Sequence, residues 1–343
     1  MKILLIGFGV VGQGFVELLR DKAQELAQRY HLRPVIVGVA TRSQGTLFHP
    51  EGLNLSHLLD AAAAGGLRQY PDSEGVQRGE DIKTWIQRSE ADVLIEASAT
   101  NLETGQPALD YCMTAFEAEM HVILANKGPI ALAYNELRAA AHMVKRVLRF
   151  EATVMAGTPS LALALDALAG STVLEARGIL NGTTNYILTQ MHQGQPYPEA
   201  LAEAQRLGYA ETDPRGDVEG WDAAGKLLIL AATVFETRLT MHDLQVTGIT
   251  GITTQDITDA KQAGECYKLI AHITPQGGSV QPVRLPLSDP LASVSNALNA
   301  LTLKTDVMGD ITLIGPGAGR RQTGFALLAD LLVIHRTQAA ALE

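Results

Sequence analysis

The sequence predicts an α/β protein with an N-terminal, Rossmann-type doubly wound parallel sheet and a second α+β domain built on a mixed sheet. Three observations indicate this fold class in the 343 residues: short apolar runs alternate with helical patterns, a glycine-rich turn follows the first run, and the pattern changes near residue 150. Alternation of strand and helix is typical of parallel sheets, whose strands are joined by crossover helices. The length fits one large or two ordinary domains.

The first predicted domain covers residues 1–150. Its runs are short and mainly apolar, as expected for parallel strands that are buried on both faces. The segment 49–80 is less regular, and we infer no function there. The predicted strands are 3–6, 35–40, 92–97 and 121–124, and the predicted helices are 14–29, 103–117 and 131–146.

The second predicted domain covers residues 151–314, and its order of elements favours a mixed sheet with helices on one face. The tail, about residues 315–343, joins the loop GPGAG to an amphipathic helix that we expect to pack back on the first domain. The predicted strands are 150–154, 173–180, 267–273, 280–285, 298–305 and 311–314, and the predicted helices are 160–169, 184–193, 198–207 and one that begins near Asp217.

Composition narrows the class of function. The formal net charge is −10 and no run of Lys or Arg stands out, so nucleic acid and anionic membrane are poor partners. Cys112 and Cys266 have neither metal-ligand nor redox spacing, which fits buried thiols in a reducing compartment. No apolar run has the length of a membrane span or of a secretory signal. We therefore expect a cytoplasmic protein that acts on a small molecule.

A glycine motif follows the first predicted strand and opens a helix. Gly7, Phe8, Gly9, Val10, Val11 and Gly12 match G-x-G-x-x-G in the context that a dinucleotide site requires. One glycine permits the tight turn, one lets the pyrophosphate approach the backbone, and one lets helix and strand pack closely. The alternative is a purely structural glycine turn.

The end of the second strand predicts the form of the dinucleotide. An acidic residue there would bind a free ribose 2′-hydroxyl, but the sequence has Arg42, which can pair with a 2′-phosphate. NADP is therefore predicted over NAD, although a loop arginine can also be solvated. Ser98 and Lys127 follow later strands, at the edge of the sheet where ligands bind, and are candidate cofactor contacts. Lys127 is also a candidate substrate contact, between nicotinamide and substrate, and a surface lysine is the alternative.

Residues 208–226 gather carboxylates ahead of one lysine. Asp222 and Lys226 are spaced to share one face of a helix. A solvated acidic loop with one surface ion pair is the alternative. The cofactor motif, and a second polar cluster at 181–185, favour an active site. The carboxylates are Glu211, Asp213, Asp217, Glu219 and Asp222.

With these motifs placed, the chain resembles homoserine dehydrogenases. The resemblance spans almost the whole chain, and its two long segments are highly specific. We expect neither an aspartate kinase domain before residue 1 nor an ACT domain after the catalytic part, and hence no feedback control through such a domain. The matching segments are GFGVVG, ANKGPIA, EATVMAGTPS, GILNGTTNYILTQM, GYAETDPRGDVEGWDAAGKLLILA and GPGAG.

The resemblance implies NAD(P)-dependent interconversion of L-homoserine and L-aspartate 4-semialdehyde, in threonine and methionine biosynthesis. It places Lys226 at the catalytic lysine position, with Asp222 one turn earlier. Whether the lysine transfers the proton or positions a water stays open. The residues it assigns to substrate binding are Glu211, Asp217, Thr183, Gly182 and Tyr209, with Glu211 at the α-ammonium group.

The resemblance also implies a structural sodium ion near Glu151, with carbonyl oxygens from Val154, Ala156 and Thr158. The alternative interpretation, without the resemblance, is an ordinary turn with a buried glutamate. Gly319 is expected at the cofactor. Its neighbours Arg320 and Arg321 depart from the family pattern, and their role stays open between a phosphate contact and a solvated position.

Apolar surface predicted on the second domain also suggests a homodimer, since two-fold symmetry usually closes such faces. Two other functions fit the sequence as alternatives. A related semialdehyde or amino-acid dehydrogenase could share the two-domain plan, although acyl transfer would need a cysteine nucleophile. A non-catalytic NADP-binding sensor could have kept the fold, but the intact set of acids and Lys226 argues against it.

Overall fold

The computed structural model describes residues 1–79 and 81–340, so the last three residues of the predicted tail, 341–343, lie outside it. The strands are β1 (Lys2–Ile6), β2 (Val35–Thr41), β3 (Gly45–Phe48), β4 (Gln77–Arg78), β5 (Val93–Glu96), β6 (His121–Leu124), β7 (Leu148–Arg149), β8 (Val173–Ile179), β9 (Leu244–Val246), β10 (Glu265–Thr274), β11 (Gly277–Pro286), β12 (Leu298–Thr305) and β13 (Gly309–Pro316).

The helices follow the same chain order. They are α1 (Val10–Asp21), α2 (Ala23–Arg29), α3 (Leu55–Ala63), α4 (Ile82–Arg88), α5 (Ala108–Glu117), α6 (Lys127–Met143), α7 (Ser160–Ala162), α8 (Gly182–His192), α9 (Tyr197–Arg206), α10 (Arg215–Val218), α11 (Trp221–Thr233), α12 (Thr254–Gln262) and α13 (Arg320–Ala340). Short 3₁₀ turns lie at 67–69, 151–153 and 241–243, and a π-type turn lies at 163–167.

The chain divides into two compact units. The first comprises Met1–Gly157 together with the C-terminal segment from Gly319 onward, and the second comprises Thr158–Ala318. The structure therefore assigns α13 to the first unit. Each unit has a sheet and an apolar core of its own.

The first unit is built on a sheet with the strand order β4-β3-β2-β1-β5-β6-β7. The pairs from β2 through β7 are parallel, and the antiparallel strands β3 and β4 extend one edge. Strands β5 and β6 are buried along their whole length, as the short, mainly apolar runs predict. This is the doubly wound arrangement that the sequence predicts.

Helix α13 packs on α1 through glycines. A Cβ atom at Gly324 would lie 2.6 Å from the backbone of Gly14, and one at Gly14 would lie 2.1 Å from the carbonyl oxygen of Arg320. Two ion pairs flank this contact: Arg320 to Glu17 at 2.5 Å and Arg321 to Asp21 at 2.7 Å. Both arginines thus pair with α1, which answers the question that the sequence left open.

The second unit is built on a mixed sheet with the order β13-β12-β8-β10-β11-β9. The pairs from β13 to β11 are antiparallel, and β9 joins β11 in parallel. One core cluster on this sheet contains Ile179, Ile270, Leu285, Leu291, Val294 and Ala300. The predicted mixed sheet is confirmed.

Several predicted elements differ in detail. The strand predicted at 150–154 is a 3₁₀ turn, because the N–H of Glu151 donates to the Asp330 side chain at 2.9 Å instead of to a neighbouring strand. The helix predicted over 14–29 is two helices, α1 and α2. The helix predicted from Asp217 begins at Trp221, because Gly220 adopts a left-handed φ of 93° that separates α10 from α11.

Within residues 1–79 and 81–340, no helix combines the length and the apolar character needed to cross a bilayer.

Candidate functional site

The glycine turn of the first unit has the geometry that a dinucleotide requires. Gly7 has a φ of +92°, and a Cβ atom there would lie 2.4 Å from the backbone of Ala97. A Cβ at Gly12 would lie 2.3 Å from the carbonyl oxygen of Gly7, whereas a Cβ at Gly9 would meet nothing within 4 Å. Gly7 therefore permits the tight turn, Gly9 leaves room for the pyrophosphate to approach the backbone, and Gly12 lets helix and strand pack closely. Phe8 is buried, Val10 is exposed and Val11 packs against the core.

A buried polar cluster lies where β5 and β6 end. The Ser98 N–H donates to Glu96 Oε1 at 3.2 Å, and the Asn126 side chain donates to the Ser98 hydroxyl at 3.3 Å. Asn126 also caps α6, which begins at Lys127, by accepting from the Gly128 N–H. The cluster fixes the loop that follows β5, beside Gly7.

Sequence reasoning missed Glu96. Its side chain is fully buried, and its Oε2 atom has no hydrogen-bond partner among the described residues. Burial raises the pKa of Glu96 to about 7, opposed by hydrogen bonds from Ser98 and Asn126. An acid inside the apolar run VLIEA is the signal that could have identified it.

The other predicted cofactor residues lie at two places in the first unit. Arg42 is exposed in the turn between β2 and β3, where it makes no hydrogen bond or ion pair within the described chain. Gly319 precedes α13 with a φ of +134°, and its carbonyl oxygen accepts from the Thr323 N–H. The Lys127 N–H donates to the Thr100 hydroxyl at 3.3 Å.

In the second unit, Lys226 and Asp222 lie one turn apart on α11. Lys226 Nζ is 2.7 Å from Asp222 Oδ2 and 2.5 Å from the carbonyl oxygen of Leu180. The lysine is 7% exposed. The predicted pair on one helix face is confirmed. Its lysine is buried and its aspartate is half-buried, which excludes the alternative of a surface ion pair.

Asn181 links this pair to a third carboxylate. Its Nδ2 atom donates to Asp217 Oδ1 at 2.6 Å and to Asp222 Oδ2 at 3.1 Å. Its Oδ1 atom accepts from the Thr184 N–H, and so caps α8. Asn181 was predicted only as part of a polar cluster, but it connects both aspartates.

The environment of Asp217 favours its neutral form more than water does. Burial raises the pKa of Asp217, and the nearby charge of Asp222 raises it further. Hydrogen bonds from Asn181 and Thr183, and the charge of Lys226, act in the opposite direction. Whether Asp217 is ionised therefore depends on the charges and hydrogen bonds of the residues around it.

The remaining predicted substrate residues lie around the start of α8. The Thr183 hydroxyl donates to the carbonyl oxygen of Tyr209 at 2.6 Å, and the Tyr209 side chain is 45% exposed. Gly182 is the first residue of α8. Glu211 is exposed, and within the described residues its carboxylate makes no hydrogen bond or ion pair to the cluster of Asp217, Asp222 and Lys226.

The predicted sodium ligands lie in a loop with unusual backbone. Glu151 and Val154 are buried, and Met155 and Ala156 have left-handed φ values of 56° and 50°. Two successive left-handed residues without glycine are rare and costly. Thr158 begins the second unit. In the described chain no group of three or more His, Cys, Asp or Glu side chains could hold a metal, but the predicted set contains only one carboxylate.

Both cysteines are poor nucleophiles. Cys112 and Cys266 are free and buried, and burial raises the pKa of each thiol. A thiol with a raised pKa carries little thiolate near neutral pH. Acyl transfer through either cysteine, the chemistry of one alternative function, is therefore disfavoured.

A cavity of about 530 Å³ lies elsewhere in the first unit, near the amino ends of β1 and β5. None of the predicted site residues lines it. Its walls come from Met1, Ala27, His31, Leu32, Arg33, Asp92, His335 and Gln338.

Two family models match the chain. Residues 7–151 match the model described as homoserine dehydrogenase, NAD binding domain, and residues 159–332 match the model described as homoserine dehydrogenase. Together they cover nearly the whole described structure.

Relatives of known name agree with these models. The chain is 38% identical to the NAD(+)-dependent homoserine dehydrogenase of Pseudomonas canavaninivorans, covering 98% of this chain and 96% of the relative. It is also 38% identical to the homoserine dehydrogenase of Methanocaldococcus jannaschii, covering 98% and 99%. A mutant hyperthermophilic archaeal homoserine dehydrogenase in complex with NADPH superposes with a TM-score of 0.84 at 26% identity, covering 98% of each chain.

Proposed function

The chain belongs to the homoserine dehydrogenase family, and from this premise we propose which of its residues carry out the reaction. The protein is an NAD(P)-dependent oxidoreductase that acts on the CH–OH group of L-homoserine and forms L-aspartate 4-semialdehyde. The dinucleotide, when bound, accepts or supplies the hydride. The protein side chains must bind the substrate and handle the proton.

We propose that Lys226 acts at the reacting oxygen. The observation that carries this proposal is the position of its Nζ atom, buried and held between Asp222 and the carbonyl oxygen of Leu180. A cation beside the oxygen stabilises the developing alkoxide and can donate the proton that an aldehyde needs on reduction. In the oxidation direction the same amine, or a water that it positions, takes up the proton.

The carboxylates have a different task in this proposal. L-homoserine carries an α-ammonium group, which Asp217 and Glu211 would bind and so orient the substrate. Asn181 supports this role because its amide holds Asp217 and Asp222 at fixed positions. The hydroxyl of Thr183, the backbone of Gly182 and the ring of Tyr209 would complete the pocket. The role of Lys127 as a further substrate contact stays a prediction.

A spectrophotometric assay tests the function. L-homoserine is added with NADP or with NAD at alkaline pH, and the absorbance of the reduced nicotinamide is followed. We expect turnover with L-homoserine and none with L-serine, which is one methylene shorter. If the protein bound a dinucleotide but showed no turnover, the proposed enzymatic function would be wrong. The alternative of a non-catalytic NADP-binding sensor would then be supported.

We propose NADP as the preferred cofactor. Arg42 stands in the turn after β2, where it is exposed and without an internal ion pair in the described residues, and no acid lies beside it to bind a 2′-hydroxyl. The relatives differ, since one is named NAD(+)-dependent and another was solved with NADPH. Calorimetric titration should give tighter binding of NADPH than of NADH, and Arg42→Ala should narrow the difference. Tighter NADH binding by the unmutated protein would refute this.

We propose a structural sodium ion in the loop that holds Glu151. Support comes from the left-handed backbone at Met155 and Ala156 and from the buried acid. The melting temperature should rise more in sodium chloride than in choline chloride at equal ionic strength. Glu151→Gln should remove that difference. Equal melting temperatures in both salts would exclude the ion.

We propose a homodimer formed through the second unit. Strand β13 lies at an edge of its sheet, and Val307, Met308 and Ile314 are exposed apolar residues there. Light scattering should give twice the chain mass at micromolar concentration. Ile314→Asp should shift the mass toward the monomer, whereas Leu287→Asp, at another exposed apolar position, should not. A monomer mass for the unmutated protein would contradict the dimer.

A further inference from the structure

Asn299 lies in β12 of the second unit, and its side chain is fully buried with both amide atoms unpaired. Neither Nδ2 nor Oδ1 has a hydrogen-bond partner within the described residues. Buried amides in folded proteins are nearly always hydrogen-bonded, since leaving them unpaired costs free energy. Among the described residues, Asn299 has both polar atoms of its side chain buried and unpaired, and such a group points to a function.

Two glycines let the chain approach this amide closely. A Cβ atom at Gly317 would lie 2.0 Å from Asn299 Cγ, so the backbone of Gly317 is in contact with the amide. A Cβ atom at Gly182 would lie 3.4 Å from Asn299 Oδ1. The amide thus lies against the glycine-rich loop and the first residue of α8.

The start of α8 has backbone N–H groups that could donate to the Asn299 side-chain oxygen. The first N–H groups of a helix have no intrahelical acceptor. In α8 the Asn181 side chain accepts from the Thr184 N–H, which leaves the N–H groups of Gly182 and Thr183 for other acceptors. The Oδ1 atom of Asn299, which has no partner among the described residues, therefore lies beside the first residue of a helix whose first N–H groups lack an intrahelical acceptor. A small shift of the loop or of the helix start would join them.

The same turn carries the proposed substrate pocket. Asn181 holds Asp217 and Asp222, and Thr183 holds the backbone of Tyr209. A contact that holds Gly182 in place therefore also holds its neighbours Asn181 and Thr183, and through them the side chains and backbone that they bind. We propose that Asn299 is a positioning residue for the substrate: once L-homoserine and the cofactor are bound, its amide pairs with the start of α8 and with the loop of Gly317. This proposal rests on the proposed function of the pocket.

Asn185 provides a matched control. It is an asparagine of the same unit, also fully buried, but its amide is paired: Nδ2 donates to the carbonyl oxygens of Val294 and Leu298, and Oδ1 accepts from Lys268 at 3.0 Å. Replacing each asparagine by leucine, which has a similar volume, removes the amide and keeps the packing. Only the replacement of Asn185 breaks existing bonds.

The test compares melting temperatures of the ligand-free proteins. Asn185→Leu should lower the value by several degrees, because it breaks the hydrogen bond from the Lys268 amine and those to the carbonyl oxygens of Val294 and Leu298. Asn299→Leu should leave it unchanged or raise it, because no bond is lost. An equal loss in both variants would overturn the proposal, since it would mean that the Asn299 amide is already paired, for example to a bound water.

Ligand-dependent readouts complete the test. In Asn299→Leu the stabilisation by NADP and L-homoserine together should be smaller than in the unmutated enzyme, and KM for L-homoserine should rise about tenfold, as for one lost hydrogen bond. Unchanged KM and unchanged stabilisation would overturn the proposal. Asn299→Ala, which only removes atoms, gives the same comparison if the leucine variant does not fold. Absence of turnover in the unmutated enzyme would instead refute the proposed function, while the ligand-free comparison would still test the amide.

Discussion

Nζ of Lys226 lies 2.7 Å from Oδ2 of Asp222, and both side chains project from one face of α11. The carbonyl oxygen of Leu180 accepts from the same amine. The lysine is therefore held from two sides with little freedom to move. Such a fixed cation is suited to a charge that develops at one point in the transition state.

Loss of this cation should abolish most of the turnover. Lys226→Ala should lower kcat by about 10²–10⁴, the usual contribution of general acid–base catalysis, with little change in cofactor binding. Steady-state kinetics and calorimetric titration measure the two effects. Lys261→Ala, at an exposed position on α12, serves as the control. Near-normal turnover of Lys226→Ala would reduce the lysine to a structural partner of Asp222.

Loss of the Asn181 amide should move the pH profile. Hydrogen bonds from Asn181 lower the pKa of Asp217, so Asn181→Ala should raise that pKa further. If the ionised acid binds the substrate, the acidic limb of kcat/KM should shift to higher pH. Asn54→Ala removes a comparable helix cap, on α3, and should not shift it. An unmoved limb in Asn181→Ala would show that Asp217 does not control activity.

Glu211 should contribute to binding more than to turnover. Its carboxylate is exposed, and Glu211→Gln keeps size and polarity but loses the charge expected to hold the α-ammonium group. KM for L-homoserine should therefore rise more than kcat falls. Glu219→Gln, an exposed acid of the same segment, is the control. A fall in kcat at constant KM would instead indicate that Glu211 acts in the chemical step.

Local patterns predicted much of the fold. Strands β1, β5 and β6 are largely buried and lie in short, mainly apolar runs, and Asp222 and Lys226 are neighbours because helical geometry requires it. These features depend on residues close together in sequence. The strand predicted at 150–154 failed because Asp330, 179 positions away, binds the Glu151 N–H.

The missed features of the site depend on long-range contacts in the same way. Asn181 joins two aspartates that lie 36 and 41 positions later. Glu96 and Asn299 are visible in the sequence as single polar residues in or beside apolar strands. What marks them is a buried side-chain atom without a hydrogen-bond partner in the described chain, Oε2 in Glu96 and both amide atoms in Asn299, which only three-dimensional structure reveals.

Close packing of α1 and α13 predicts a large effect at Gly324. A Cβ atom there would lie 2.6 Å from the Gly14 backbone, so Gly324→Ala should force the helices apart and cost about 1–3 kcal/mol of unfolding free energy. Chemical denaturation measures the loss. Gly251→Ala is the control, because a Cβ there meets nothing within 4 Å. Equal stability of both variants would mean that α13 adjusts without strain.

The buried acid Glu96 should make stability depend on pH. Its folded pKa of about 7 lies above the ordinary value of 4.5, so the folded state binds this proton more tightly than the unfolded state does. The resulting contribution to stability is complete below about pH 4.5 and is lost as the pH rises through about 7. Relative to Glu96→Gln, the unmutated protein should lose about 3 kcal/mol between pH 4.5 and pH 8.

Denaturation of both proteins across this range measures the difference, and the comparison removes the contribution of groups that the variant leaves intact. One such group is His121, whose pKa burial lowers to about 4. Glu117→Gln, at an exposed acid on α5, should follow the unmutated protein at every pH. If the curve of Glu96→Gln also runs parallel to that of the unmutated protein, Glu96 must be ionised throughout. Its Oε2 atom would then have to find a partner in solution that offsets the cost of burying the charge.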